Sequence, residues 1–267
     1  MDFLGIKNKV YFIAGVANKK SVACFTARTL IDAGAKCIFS VARSEQLETV
    51  KKLFPDSPVF VCDVENLADL ESLEETLRQF TSQLDGFVHS LAFANFSNGV
   101  RPFHQTGRAD YLQAAQVSSF SLVEVTNQLK TLFAPDASIV TISISNTKAT
   151  SYGYLGPIKA MLEATVPFLA KSLSEVSNVR VNAVGAGPLK TSASAGIPDY
   201  IDNYLFAEEL TLRKKALETQ EVANTVCFLL SPRSSGINAT TLVVDAGMSC
   251  NYFDQKIVKG FVKGGPL

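Results

Sequence analysis

The sequence lacks an excess of charge of either sign, because 25 lysine and arginine residues balance 25 aspartate and glutamate residues. It therefore offers neither the basic face of a nucleic-acid-binding protein nor an acidic tail, and we expect no nucleic-acid partner. A run of about 18 consecutive apolar residues is also missing, so the sequence predicts no membrane-spanning helix and no membrane partner. Zero net charge gives little repulsion between copies of the chain, which favours self-association.

The sequence contains few residues that suit metal binding or thiol catalysis. Its two histidines are His89 and His104, and neither is an evident partner for a cysteine. The five cysteines form no CxxC pair; they are Cys24, Cys37, Cys62, Cys227 and Cys250. An odd number of cysteines without metal-ligand spacing predicts reduced, buried thiols, no metal site and a cytoplasmic protein. The first nine residues lack the features of a signal peptide, which agrees with that location.

Apolar segments of strand length alternate with segments of helical spacing along the chain. The predicted strands are 10–14, 36–41, 59–62, 86–90, 138–144, 179–184 and 241–244. The predicted helices are 21–31, 45–53, 67–83, 111–132, 155–173 and 219–230. This alternation predicts an α/β fold in one domain over residues 1–267, a Rossmann-like doubly wound parallel sheet of about seven strands with helices on both faces. Two irregular stretches, 93–108 and 185–212, are long enough to indicate functional loops.

The first predicted strand runs into the segment GVANKKSVA, which begins at Gly15. Gly15 allows a sharp turn off the strand. Ser21 can cap the next helix or donate to a phosphate, and the free N–H groups at the start of that helix, where Val22 stands, suit a pyrophosphate. The segment has too few glycines for the GxGxxG pattern. An ordinary strand–turn–helix therefore stays an equal alternative on this evidence alone.

Six segments in order resemble the divergent enoyl-acyl-carrier-protein reductase branch of the short-chain dehydrogenase/reductase superfamily. They are GVANKKSVA, CDV from Cys62, DGFVHSLAFA from Asp85, VRVNA from Val179, AGPLKT from Ala186 and VDAG from Val244. The resemblance covers nearly the whole chain and implies a nicotinamide-dependent reductase. It implies that Asp63 and Val64 hold the adenine, and that further cofactor contacts come from Ser90, Leu91, Ala92, Leu189 and Thr191.

The type of nicotinamide cofactor is indicated by the end of the second predicted strand. An acidic residue there favours NADH, whereas an arginine accommodates the extra phosphate of NADPH. The strand ends in Ala42, Arg43 and Ser44, and Arg43 with Ser44 suits a 2′-phosphate, so NADPH is favoured. NADH stays possible, because members of the resembled family that use NADH carry a neutral residue at this tip, as Ala42 is. Alternatively, Arg43 is a solvated surface charge.

Tyr152 and Lys159 are separated by six residues, and the predicted helical spacing places both side chains on one side. Most short-chain dehydrogenases separate this pair by three residues, where Leu155 stands here. The longer gap resembles that of the enoyl reductases. The resemblance implies that Tyr152 stabilises an enolate-like oxygen, while Lys159 holds the cofactor ribose and lowers the pKa of Tyr152. A surface tyrosine and a solvated lysine are the structural alternatives.

The substrate side of the sequence departs from the resembled family. An upstream tyrosine of that family is replaced by Ile142 or Ile144, depending on the alignment. A polar residue, Asn203, stands where an acyl chain prefers an apolar wall. We expect a substrate segment at about 188–212. The candidate substrate residues are Phe93, Ala94, Ser143, Tyr154, Tyr200 and Asn203.

Three functions remain open from the sequence. The first is reduction of the C=C bond of an enoyl thioester on acyl carrier protein. The second is reduction of a small ketone or enone in specialised metabolism, which the missing upstream tyrosine and Asn203 favour. The third is a catalytically silent regulator that binds the cofactor, although retention of Tyr152 and Lys159 argues against it. The resemblance also implies a homotetramer that pairs the helices 111–132 and 155–173 between subunits, although their apolar residues also suit packing on the sheet.

Overall fold

The computed structural model describes residues 2–16, 18–97, 99, 101–191 and 200–263. Within these residues, seven strands form one parallel sheet. They are β1 (Val10–Ala14), β2 (Lys36–Val41), β3 (Val59–Val61), β4 (Leu84–His89), β5 (Phe133–Ile144), β6 (Arg180–Ala186) and β7 (Thr241–Val244). Their order across the sheet is β3-β2-β1-β4-β5-β6-β7.

The helices connect these strands. They are α1 (Val22–Asp32), α2 (Leu47–Leu53), α3 (Leu67–Glu71), α4 (Leu73–Arg78), α5 (Arg108–Ala115), α6 (Ser121–Leu129), α7 (Leu155–Leu173), α8 (Tyr200–Leu210), α9 (Thr219–Leu230) and α10 (Gln255–Lys263). A π-helical turn, Gln116–Phe120, joins α5 to α6. Within the described ranges, none of these helices has both the length and the hydropathy needed to cross a membrane.

The sheet is buried on both faces because alternate side chains of each strand point to opposite sides. On β1, Tyr11 and Ile13 pack into a core with residues of α1 and α9. Phe12 and Ala14 pack into a second core with residues of α6 and α7. All four of these β1 side chains are buried. The predicted doubly wound parallel sheet with helices on both faces is therefore confirmed.

Several predicted elements have the bounds that the sequence indicated, including β1, β2, β7, α7 and α9. The prediction of one helix over 67–83 was wrong, because the structure has two shorter helices, α3 and α4, that meet at Ser72. The Ser72 hydroxyl donates to the backbone carbonyl of Asp69 at this break. The segment 200–212, predicted as irregular, contains α8, and α10 was not predicted at all. Of the expected substrate segment, residues 192–199 lie outside the described ranges, as does Ala17 of the first turn.

The long helix predicted over 111–132 is interrupted by the π-helical turn. Within that turn, the Ser118 hydroxyl donates to the carbonyl of Phe93 at 2.9 Å and accepts from the N–H of Phe93 at 2.8 Å. This pair of hydrogen bonds fixes the chain that follows β4 against the helix. The interruption therefore has a tertiary cause, which the helical periodicity of the sequence does not contain.

Arg180 is a buried cation at the first residue of β6. Its guanidinium donates to the backbone oxygens of Leu229, Ser231, Ser234 and Ile237 at 3.0–3.2 Å. The final carbonyls of a helix have no partner within that helix. Arg180 thus satisfies the end of α9 and the turn that follows, and ties both to the sheet.

We expect Arg180→Met to lower the free energy of unfolding by about 3 kcal/mol, because four backbone carbonyls lose a charged donor that links them to the sheet. Urea unfolding measures this change. Arg78→Met is the matched control, since Arg78 forms an exposed ion pair with Glu74 whose loss costs about 1 kcal/mol or less. Equal losses in the two variants would contradict the role given to Arg180.

Candidate active site

A cleft of about 520 Å³ opens at the carboxyl ends of the parallel strands. Its walls come from the connections after β1 to β6, with further residues from α5 and α7. The strand order reverses between β1 and β4, and in open α/β sheets ligands bind in the crevice at such a point. The volume lies within the range of natural ligand clefts, roughly 300–1,000 Å³. The cleft is therefore the candidate active site.

Most side chains that the sequence indicated lie in the wall of this cleft. These are Gly15, Ser21, Val22, Ala42, Arg43, Asp63, Val64, Ser90, Leu91, Ala92, Phe93, Ala94, Ser143, Tyr152, Lys159, Leu189, Thr191 and Tyr200. They come from strand ends that are far apart in the sequence and adjacent in the sheet. Ser44, Tyr154 and Asn203 do not line the cleft.

Local geometry explains these three placements. Ser44 is exposed at the start of the 3-10 turn Ser44–Gln46. The Tyr154 phenol donates to the carbonyl of Asn95 at 3.1 Å, and its ring lies 5.4 Å from that of Phe96. Asn203 is on the exposed face of α8, whose buried face carries Tyr200 instead. The structure thus places Tyr154 in packing contacts and leaves Asn203 outside the cleft wall.

The turn between β1 and α1 requires glycine at Gly15. This residue has a φ of +101°, and a Cβ there would lie 2.1 Å from the carbonyl oxygen of Ser90. The Ser21 hydroxyl caps α1: it accepts from the N–H of Cys24 at 3.2 Å and donates to the carbonyl of Asn18 at 3.0 Å. The first turn of α1 carries no acidic residue. The positive end of α1 therefore suits a pyrophosphate, and these residues fit a dinucleotide.

The end of the cleft beside β3, where the sequence indicated Asp63 and Val64, is held in shape by hydrogen bonds. The Asp63 carboxylate accepts from the N–H of Glu65 at 3.0 Å, and the Asp63 N–H donates to the carboxylate of Asp69 at 2.9 Å. Across the cleft mouth, the Gln113 amide donates to the Glu65 carboxylate at 2.9 and 3.2 Å. Glu65 and Gln113 both line the cleft, and neither was a candidate from the sequence. Glu65 directly follows the CDV segment, whereas Gln113 lies near no quoted motif.

Lys159 is buried, with 5% of its surface exposed, and lines the cleft from α7. Its Nζ donates to the carbonyl oxygen of Ile142 on β5 at 2.8 Å. Burial lowers the pKa of Lys159 to about 8, while the negative charge of Glu163 opposes that shift. An amine with this pKa remains largely protonated at neutral pH and loses its charge as the pH rises through about 8.

Tyr152 is half-buried in the wall of the cleft. The expectation that helix spans from Tyr152 to Lys159 was wrong, because Tyr152 ends a 3-10 turn and Gly153 has a φ of +60° before α7 begins at Leu155. Burial, together with the neighbouring Tyr200 phenol, raises the pKa of Tyr152. This direction is opposite to the expected effect of Lys159. Tyr152 therefore stays a neutral phenol that can donate a hydrogen bond.

The position of the missing upstream tyrosine is aliphatic. Ile142 and Ile144 both line the cleft at the end of β5. Ser143, between them, was a candidate substrate residue; it is buried and donates to the carboxylate of Glu163. Its hydroxyl is thus held by the protein. The wall beside Tyr152 offers apolar surface in place of a second phenol.

Tyr200 closes the cleft near Leu189. The phenol of Tyr200 accepts from the Leu189 N–H at 2.8 Å and donates to the Leu189 carbonyl at 2.9 Å. Both residues line the cleft. Further lining residues were not among the candidates. Val16 and Gly187 lie within the quoted segments that begin at Gly15 and Ala186, whereas the others had no motif of their own; they are Gln46, Phe96, Val117 and Leu155.

Comparisons with known proteins show which family the chain resembles over most of its length. A family model described as enoyl-(acyl carrier protein) reductase matches residues 15–249. An enoyl-acyl-carrier-protein reductase (NADH), FabI, of Enterococcus faecalis is 35% identical over 246 residues, covering 91% of this chain and 98% of that protein. A Staphylococcus aureus relative, whose name carries NADPH instead, is 33% identical and covers 91% of this chain and 98% of its own length.

Solved structures are similar over the same extent. The Bacillus cereus enoyl-acyl carrier protein reductase with NADP+ and indole naphthyridinone gives a TM-score of 0.86 at 33% identity, covering 90% of this chain and 96% of that chain. The enoyl-acyl-carrier-protein reductase (NADH) of Aquifex aeolicus gives a TM-score of 0.87 at 29% identity, covering 91% of this chain and 97% of that one. These solved structures therefore share the fold of this chain over nearly its whole length.

Proposed function

Because this chain belongs to the enoyl-acyl-carrier-protein reductase family, we propose that it reduces the carbon–carbon double bond of an enoyl thioester held on acyl carrier protein. It is a nicotinamide-dependent oxidoreductase, as its relatives are by name. The proposal is supported above all by the placement of three features in one cleft, which is lined by Tyr152, by the buried Lys159 and by the turn between β1 and α1.

The proposed chemistry divides between these two side chains. A reduced nicotinamide bound in the cleft would supply the hydride. Addition of hydride to the β-carbon of an enoyl thioester leaves negative charge on the thioester oxygen. Tyr152, a neutral phenol in the cleft wall, donates a hydrogen bond to that oxygen. Lys159, held by Ile142, would bind the ribose, and its positive charge favours the developing anion.

The relatives favour this function over the two alternatives considered from the sequence. One argument for a small polar substrate was Asn203, and that side chain is exposed and outside the cleft wall. The other was the missing upstream tyrosine. Its place is taken by aliphatic surface of Ile142 and Ile144, which suits an acyl chain.

We expect Tyr152→Phe to lower kcat/KM for crotonyl-CoA by about 100-fold or more, because the thioester oxygen loses a fixed donor. Oxidation of the reduced cofactor, followed by its nicotinamide absorbance, measures the rate. Tyr154→Phe is the matched control and should change the rate by less than about threefold, since Tyr154 lies outside the cleft wall. Absence of turnover in the unaltered enzyme despite tight cofactor binding would sink the assignment.

NADPH is the proposed cofactor, and Arg43 supports this choice. Its exposed side chain lines the cleft beside Ala42 and takes part in no ion pair among the described residues. A guanidinium in this position suits a 2′-phosphate. Ser44, which was expected to assist, lies outside the lining. The relatives carry NADH or NADPH in their names, so the proposal rests on Arg43.

We expect Arg43→Gln to raise the Kd of NADPH by about 10- to 100-fold and to leave the Kd of NADH nearly unchanged, because a charge-assisted contact to the 2′-phosphate is lost. Nicotinamide fluorescence titration gives both constants. Arg28→Gln, an exposed change on α1 away from the cleft, controls for net charge. Equal changes for the two cofactors would contradict the role of Arg43.

The proposed assembly is a homotetramer, and the proposed compartment is the cytoplasm. Pro157, Met161 and Phe168 lie on one face of α7 at spacings of four and seven residues, and each is exposed. Phe168 is 77% exposed, which is unusual for a large apolar side chain on a helix. A second subunit would bury this face. The cysteines, all unpaired, support a reducing compartment.

We expect Phe168→Glu to convert the tetramer to smaller species, because a charge would be buried at the subunit contact. Sedimentation velocity measures the mass. Leu67→Glu is the control: Leu67 is 64% exposed on α3, and this change should leave the mass unaltered. A protein that sediments as a monomer before any substitution would refute the assembly.

A further inference from the structure

Glu163 is a half-buried carboxylate on α7, one helical turn beyond Lys159. The sequence gave it no role, and it does not line the cleft. Its Oε1 accepts a hydrogen bond of 2.5 Å from the hydroxyl of Ser143, which is 2% exposed. A carboxylate that is removed from water in this way needs a compensating partner, and Ser143 is one such donor.

Two hydrogen bonds connect α7 to the end of β5 side by side. Lys159 donates to the backbone of Ile142, and the next residue on β5, Ser143, donates to Glu163. Lys159 and Glu163 are four residues apart on α7, so their side chains project from the same face. The strand end is thus bound at two successive residues by one helix, and the amine and the carboxylate lie on the same side of that helix.

Three titratable groups share the cleft wall with Lys159 or interact with its charge. Tyr152 lies in the turn before α7 and is neutral because its pKa is raised. His89, on β4, is fully buried between Thr141 and Ser121, and burial together with the charge of Lys159 lowers its pKa to about 3, so it is neutral as well. Among the described residues, Glu163 is therefore the anion whose charge acts on Lys159.

We propose that Glu163 is a positioning residue that keeps Lys159 protonated and aligned with the cleft through its charge and its bond to Ser143. The inference rests on the proposed function, in which Lys159 binds the cofactor ribose. A buried amine without a counter-charge tends to release its proton. Glu163 opposes that release from one helical turn away, and it leaves the Lys159 hydrogens free to contact Ile142 and a ligand.

The direction of the effect follows from the charges. Burial lowers the pKa of Lys159 to about 8, and Glu163 raises it. Removal of the Glu163 charge therefore lowers the pKa of Lys159 further, so the amine loses its proton at a lower pH. Because the protonated amine is the working form, the loss of cofactor affinity and turnover with rising pH should begin earlier.

The test is a pH titration of Lys159 by NMR in protein labelled with 13C at lysine Cε, with Lys159→Arg used to assign the signal. We expect Glu163→Gln to lower the pKa of Lys159 by about one unit, as loss of a nearby opposite charge does. Glu175→Gln is the matched control, because Glu175 pairs with Lys171 at the surface, and it should leave the pKa unchanged. A Lys159 pKa that is equal in all three proteins would overturn the proposal.

Two further variants separate charge from structure. Glu163→Asp retains the charge and should restore most of the pKa, whereas a merely structural role predicts a defect like that of Glu163→Gln. Ser143→Ala removes the bond that holds the Glu163 carboxylate, and it should lower the pKa of Lys159 by a smaller amount than Glu163→Gln does. If neither Ser143→Ala nor Glu163→Gln shifts the pKa of Lys159, the positioning role of Glu163 is overturned. The titration needs no substrate, so failure of enoyl turnover would refute the proposed function and leave this result standing.

The same variants have a second readout in the reaction. In Glu163→Gln, the alkaline fall of kcat/KM for crotonyl-CoA should move to lower pH by about one unit, while the rate at pH 6 stays within about threefold of the unaltered enzyme. A uniform loss of rate at every pH, with the alkaline fall unmoved, would count against charge control of Lys159.

Discussion

The burial of the Lys159 amine is the constraint on which the rest of the site depends. An ammonium group in a protein interior is costly unless it is hydrogen-bonded and faces an opposite charge. Here the carbonyl of Ile142 accepts from it and Glu163 lies one turn away. The bond of Lys159 to Ile142 and the bond of Glu163 to Ser143 both require α7 to cross the end of β5 in one position. That packing also brings Tyr152 and the aliphatic end of β5 to the same wall of the cleft.

The protein environment shifts the pKa values of Tyr152 and Lys159 in directions that suit the proposed reaction. Burial raises the pKa of Tyr152, so the phenol keeps its proton, and lowers that of Lys159 to about 8, so the amine is charged only below that pH. A neutral donor and a positive charge are what an oxygen that gains negative charge requires. One wall of the cleft thus combines a donor, a cation and apolar surface.

The sequence predicted the layered fold well because burial on both faces produces long apolar strands such as β1 and β2. It also predicted most of the cleft wall, since strand ends and short motifs such as that at Gly15 are local. It failed at two places. A long-range bond between Ser118 and Phe93 interrupts a predicted helix, and the left-handed backbone of Gly153 separates Tyr152 from α7. The sequence also did not predict which way some side chains point, because this depends on tertiary packing. Tyr154, for example, packs against Phe96 and does not line the cleft.

In the proposed reaction, hydride passes from the nicotinamide to the β-carbon of an enoyl thioester. The most direct measurement supplies crotonyl thioester together with reduced cofactor that carries deuterium at both C4 positions, followed by mass spectrometry of the product. Enoyl reduction gives a saturated thioester that contains one deuterium, located at the β-carbon. Deuterium on the carbinol carbon of an alcohol, or a saturated product without deuterium, would contradict it.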